Sequence, residues 1–336
     1  MLEKPDIPDE SIIDCLLVDY GLKIAQIAFL PLGADRNTAV YRADANDSTP
    51  YFVKLRLAGF DETSVELPKF LSAQGIRQVM APLATGSGRL WADLDGSKVV
   101  LYPFVEGRNG YEARLSDHHW HELGEALGKI HAIAAPPSLI GNIRREAYSP
   151  LWRDHVKRLF DGAERIDHYD PISAELSALL ACKRDEILDL VRSAERLACS
   201  LQDSDREFVV CHSDIHAGNV LIDSGGAFYI VDWDDPILAP RERDLMYIGG
   251  GLMGAGRTPQ EEETLFYRAY GRIQLDTVAL AYYRHERIVQ DISEICRQVF
   301  STNDSVPDRE RMYQFLPSNF RSGGVLDIAR NTEQLL

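Results

Sequence analysis

Residues 211–222 read CHSDIHAGNVLI, and residues 228–235 read FYIVDWDD. His212, Asp214 and Asn219 stand in an HxDxxxxN pattern, and Asp232 follows 13 residues after Asn219. Ser224, Gly225 and Gly226 punctuate the β-rich run between them, so the spacing predicts a hairpin with three oxygen-bearing side chains around its mouth. Phosphoryl transfer asks for such a set. One carboxylate orients the attacking hydroxyl and accepts its proton, while other oxygen ligands hold Mg²⁺ on the β- and γ-phosphates of ATP. Asp214 fits the first role, and Asn219 and Asp232 fit the second. The base precedes the metal-binding Asn by five residues, which is the spacing of a kinase catalytic loop. His212 reads as a satisfied core histidine. Asp232 follows an apolar strand, where an uncompensated carboxylate is costly, and reads as a metal ligand.

Such a site needs a cation for the nucleotide phosphates, and Lys54 interrupts the apolar strand YFVKLRL as a point charge able to reach them. The helix predicted just downstream carries Glu62 and Glu66 one turn apart, either of which suits Lys54 as a partner; Glu62 is the first choice. Upstream, PLGADRNTAVY joins two strands and offers backbone N–H groups around Asn37 and Thr38 to phosphates, with one glycine where a protein-kinase loop has three. The stretch from Tyr102 to Glu106, with Pro103, Phe104 and Val105 at its centre, is placed to read the edge of adenine, and it reads equally well as a plain buried strand.

Working outward, Ile12, Ile13, Leu16, Leu17 and Tyr20 recur at helical spacing before Gly21. Strand-like runs follow at Ile24 to Leu30, Ala39 to Asp44 and Tyr51 to Leu57, then a helix from about Asp61 to Gln74 and a hairpin across Asp95-Gly96. Beyond Gly110 the period becomes helical: Trp120, Leu123, Leu127 and Ile130 share a face behind the candidate cap Ser116. Long periodic segments run near Trp152 to Phe160, Ser173 to Leu201, Pro259 to Tyr270 and Thr277 to Phe300. The class is α+β, an antiparallel five-stranded sheet with helices followed by a mainly α-helical half. The boundary falls near Gly107, giving 1–106 as a nucleotide-binding lobe and 107–336 as a catalytic and substrate-binding lobe.

The 336 residues exceed what one core usually serves. Lys plus Arg number 36 against 52 Asp plus Glu, for a net charge of -16, which disfavours nucleic acid and anionic membranes as partners. Five scattered cysteines without a CxxC pair read as reduced thiols. The acidic N-terminus and the lack of a long apolar run predict a cytoplasmic protein. Both a monomer and a dimer remain open.

With these motifs in hand, the chain resembles the aminoglycoside phosphotransferase and choline kinase superfamily, and within it the spectinomycin phosphotransferases. The resemblance is carried by CHSDIHAGNVLI, YIVDWDDPILAPRERDLMYIGGG, YYRHERIVQDI, YSPLWR and GADRNTAVYRAD. It implies a bilobal protein-kinase-like fold and transfer of the ATP γ-phosphate to the 9-hydroxyl of spectinomycin, with Mg²⁺. Ser213 where protein kinases have Arg, Trp233-Asp234 in place of Phe-Gly, and the lack of a long activation segment point to a small-molecule kinase. A cationic antibiotic calls for carboxylates and an aromatic surface, and Trp233, Asp234, Asp235, Glu286 and Asp291 are the candidates. Asp244 reads as a buried polar brace for the catalytic loop. A metabolic kinase acting on choline, methylthioribose or homoserine is the alternative.

Overall fold

The computed structural model describes residues 3–33, 35–161, 170–202, 205–254, 256–301 and 305–336. The chain opens with helix α1 (Asp9–Tyr20) and strands β1 (Ile24–Leu30), β2 (Thr38–Ala45) and β3 (Pro50–Arg56). Helix α2 (Thr63–Ala73), the hairpin β4 (Ala92–Leu94) and β5 (Ser97–Pro103), and β6 (Gly107–Asn109) follow. Then come α3 (Asp117–His131), α4 (Pro137–Ile140), β7 (Arg144–Arg145), α5 (Leu151–Phe160), α6 (Pro171–Cys182) and α7 (Arg184–Gln202). Strands β8 (Val209–Cys211), β9 (Val220–Asp223), β10 (Phe228–Ile230) and β11 (Ile237–Ala239) precede α8 (Glu242–Leu245). The chain closes with α9 (Pro259–Tyr270), α10 (Thr277–Val299), α11 (Val306–Phe315) and α12 (Val325–Glu333). Among the described residues no helix is long and apolar enough to cross a membrane.

The chain divides into two compact units, one of Met1–Ala113, Ala135–Ile143 and Gly218–Pro236, the other of Arg114–Ala134, Arg144–Ala217 and Ile237–Leu336. In the first unit an antiparallel sheet runs β1-β2-β3-β5-β4. Its buried face, with Ala39, Tyr41, Val53, Leu55, Val99 and Leu101, packs on Ile12 and Leu16 of α1. Gly21 ends α1 at φ 71, the left-handed cap that glycine adopts without a Cβ penalty. Asp95 and Gly96 turn β4 into β5 with both φ values positive, as a two-residue hairpin loop requires. This unit runs past residue 106 because β6 pairs with β9. There a Cβ on Gly107 would meet Ile222 O at 2.4 Å, so the close approach needs glycine.

The second unit is mainly helical. Its core gathers Val156, Leu176, Leu180, Ile187, Leu190, Ile288, Ile292 and Val299, so α10 is the helix the others bury their apolar stripes against. Ser116 caps α3 by accepting from His119 N. Three features depart from the sequence reading. The period through Ser173 to Leu201 is continuous, yet the chain breaks at Lys183, with φ -101 and ψ 9, into α6 and α7. Strand β8 leaves the β9–β10 hairpin and pairs instead with β11, itself beside β7. The segment after Ser301, which carried no expected element, supplies α11 and α12, whose Leu326 and Ala329 enter the core.

Candidate active site

Alternate residues of a strand share a face, so Lys54 and Arg56 project together from β3. Lys54 Nζ donates to Asp232 Oδ1 at 2.7 Å and to Asp234 Oδ1 at 2.6 Å. Arg56 Nη1 donates to Asp234 Oδ2 at 2.5 Å, to Thr38 Oγ1 at 2.7 Å and to Asp35 Oδ2 at 3.1 Å. Burial acts to lower the Lys54 pKa, but the Asp232 and Asp234 carboxylates outweigh it and hold the ammonium charged. Burial also pushes the Asp234 carboxyl up, against the pull of Lys54. Sequence reasoning missed Arg56, although its two-residue spacing from Lys54 was a usable signal.

The open end of the β9–β10 hairpin lies in this unit, where Val231 N donates to Asn219 O at 3.0 Å. Asp232 follows at φ 65, a left-handed backbone that a non-glycine residue keeps only where its surroundings impose it. Asn37 N donates to Asp35 Oδ1 at 2.8 Å and Thr38 Oγ1 to Asp35 Oδ2 at 2.7 Å, which holds the loop between β1 and β2 against Arg56; Ala34 of that loop lies outside the described residues. Among the described residues Glu62 and Glu66 form no ion pair with Lys54, which is taken up by the two aspartates. Sheet pairing ends at Pro103, and Phe104 and Val105 continue half-buried beyond it, with the Arg42 guanidinium 4.7 Å from the Phe104 ring centroid.

In the second unit Asp214 follows Ser213, whose φ is 73. The carboxylate of Asp244, 0% exposed, accepts from His212 N at 2.9 Å and from Ser213 N at 2.7 Å. His131 Nε2 lies 3.1 Å from Asp244 Oδ2. This clamp holds a strained turn in place. The Asp214 N–H donates to His212 Nδ1 at 3.2 Å. On the carboxylate itself, Arg287 Nη1 donates to Oδ1 at 2.5 Å, and Tyr247 Oη lies 3.1 Å from the same oxygen. His216 Nε2 lies 3.6 Å from Oδ2. Burial would raise the Asp214 pKa, but Arg287 and His216 outweigh it and hold the carboxyl well below its usual range. Sequence reasoning left Arg287 unassigned on its helix.

The same arrangement of strands, helices and loops occurs in proteins of known structure. Residues 28–284 match the model of the phosphotransferase enzyme family. The chain belongs to that family. This phosphotransferase is similar to spectinomycin phosphotransferase, whose crystal structure with ADP and spectinomycin matches with a TM-score of 0.89 and 36% identity over 98% of this chain and 100% of that one. The protein StrN of Streptomyces griseus is 26% identical over 65% of this chain and 67% of its own length. The fold is shared with a choline kinase of Streptococcus pneumoniae, with a TM-score of 0.57 and 15% identity over 92% of this chain and 97% of that one. The kinase-like α+β fold follows.

The expected substrate contacts of the phosphotransferase fall in varied surroundings. Trp233 is buried, its indole N–H donating to Ile230 O at 3.1 Å. Asp234 is occupied by Lys54 and Arg56, and Asp235 is exposed. Glu286 is buried, with Oε2 3.2 Å from Arg153 Nε, near enough for an ion pair yet misaligned for a hydrogen bond. Burial pushes its carboxyl up from 4.5 to about 7, Arg153 opposing and Glu146 adding to the rise. A carboxyl raised on folding stabilises the fold fully below its unfolded value of 4.5, and that contribution is lost as pH rises through about 7. Glu286→Gln stays neutral throughout. Between about pH 5 and about pH 8 the wild type should therefore lose up to about 3 kcal/mol relative to the variant in denaturant melts. Parallel stability curves would exclude this carboxyl as the source.

Proposed function

We propose that this phosphotransferase moves the γ-phosphate of ATP to the 9-hydroxyl of spectinomycin. The observation that carries the reading is the likeness, along essentially the whole chain, to a spectinomycin phosphotransferase that holds ADP and the antibiotic. In this reading 1–106 serves mainly the nucleotide and 107–336 the acceptor. Asp214, kept anionic, accepts a hydrogen bond from the attacking hydroxyl and takes its proton as the new P–O bond forms and the bond to ADP breaks. Lys54 and Arg56 supply positive charge for the phosphates, and the loop with Asn37 and Thr38 supplies backbone N–H groups. Backbone groups of Pro103, Phe104 and Val105 take the adenine edge.

Asn219 and Asp232 offer only oxygen donors, and Asp232 already draws the Lys54 ammonium; an oxygen-only pair that attracts a cation fits Mg²⁺. Mg²⁺ bound there would neutralise charge on the phosphate oxygens. Spectinomycin carries amines, and the exposed Asp235 is the first candidate to meet them, with Asp234, Glu286 and Asp291 already committed to basic partners. The test is ADP release by the purified chain with spectinomycin, with and without a chelator. Release that needs both spectinomycin and the divalent ion supports the reading. Turnover of choline or another alcohol, with none on spectinomycin, would move the substrate to that compound.

A further inference from the structure

Arg287 stands one helical turn from Asp291 on α10, and its guanidinium spans two carboxylates. Nε donates to Asp291 Oδ1 at 2.8 Å, while Nη1 donates to Asp214 Oδ1 at 2.5 Å and to Tyr247 Oη at 2.8 Å. Tyr247 Oη also lies 3.0 Å from Ser213 O, so its one proton serves either that carbonyl or Asp214. These contacts converge on a single oxygen of Asp214 and leave the other beside His216. We propose that Arg287, seconded by Tyr247, is a positioning residue that fixes the rotamer and charge of Asp214 so that Oδ2 faces the acceptor hydroxyl.

The surroundings show why a fixed cation is needed at this point. The groups facing Asp214 are Arg287, His216 and Tyr247, joined by Asp291 and Glu294, both of which sense its charge. Burial pushes the Asp291 and Glu294 carboxyls up, with Arg287 pulling each of them back. Two carboxylates thus bond one guanidinium, and a third, Glu294, senses its charge. Without it they would repel in a desolvated setting, and protons would bind there first. An enzyme for a cationic acceptor gains nothing in substrate affinity from an arginine at this place, so its value lies in the chemical step.

The inference rests on the reading of Asp214 as the base, and the experiment separates the two. The full-length enzyme with ATP, Mg²⁺ and spectinomycin is followed from about pH 5 to about pH 9 as wild type, Arg287→Gln and Arg287→Lys. Arg287→Gln should lower kcat about 10- to 100-fold with unchanged or lower KM for spectinomycin. The acid limb of kcat, which lies below this range in the wild type, should move up into it, because Asp214 would then protonate in the working range. Arg287→Lys, which restores the charge, should return the limb most of the way. In an Asp214→Asn background Arg287→Gln should cost nothing further, since the group it positions is gone. A lowered kcat with an unmoved acid limb, or losses that simply multiply in the double variant, would make Arg287 structural only and overturn the proposal. If Arg287→Gln gives no cooperative melt, Tyr247→Phe decides: a smaller upward move of the limb supports the clamp, and an unmoved limb overturns it. Wild-type turnover in Asp214→Asn alone would instead remove the base.

Discussion

Asp214→Asn is expected to lower kcat by roughly 10²- to 10⁴-fold, the range for a positioned general base, while leaving ADP affinity near wild type. The amide keeps the size of the side chain and can still accept at one oxygen. It lacks the charge with which, in the proposed mechanism, Asp214 holds and then takes the hydroxyl proton. Its nitrogen would also oppose Arg287 wherever it replaced Oδ1, so some loss comes from a turned side chain. Nucleotide binding should be spared because Lys54, Arg56 and Asp232 belong to a separate cluster of contacts. Calorimetric titration with ADP and steady-state rates with spectinomycin measure the two parts. A variant that turns over at the wild-type rate would take Asp214 out of the mechanism.

Asp244→Ala should cost about 3–5 kcal/mol of folding stability, the range for removing one partner of a buried charged contact. The truncation leaves the N–H groups of His212 and Ser213 without their acceptor and strips His131 Nε2 of its neighbour. Each buried unsatisfied group carries a desolvation penalty of about 1–3 kcal/mol. Ser213 would lose the bond that holds its left-handed backbone, so Asp214 would be misplaced even in molecules that fold. Urea unfolding of the wild type and variant checks the energy, and kcat at a temperature where both are folded checks the placement. A loss below about 1 kcal/mol with unchanged kcat would show that the loop is held by other contacts.

Much of the site was legible because it is encoded locally. The interval from Asp214 to Asn219 is set by one loop, and Asp232 follows a hairpin whose turn residues announce it. Lys54 stands out as a charge inside an apolar strand. The expected and observed neighbours of Lys54 differ for a physical reason: Glu62 and Glu66 are near in sequence, whereas Asp232 and Asp234, which Lys54 meets, are 178 and 180 residues away. Trp233 and Asp234 are substrate candidates by residue type and proximity to the motif, and Glu286 by residue type on the late helix, none of which carries information on whether a side chain turns inward.

By itself, then, the sequence determined the periods of its helices and strands, the turn at Asp95-Gly96, the capping of α1 and α3, and the spacing of Asp214 and Asn219. Each depends on interactions within a few residues. Tertiary structure alone decided that Arg56 joins Lys54 on the distant Asp234, that Asp244 clamps the turn before Asp214, and that Arg287 closes on Asp214 from 73 residues away. A charge carries no address in the chain; burial selects its partner, because a desolvated carboxylate must find whichever donor the packed helices bring within reach.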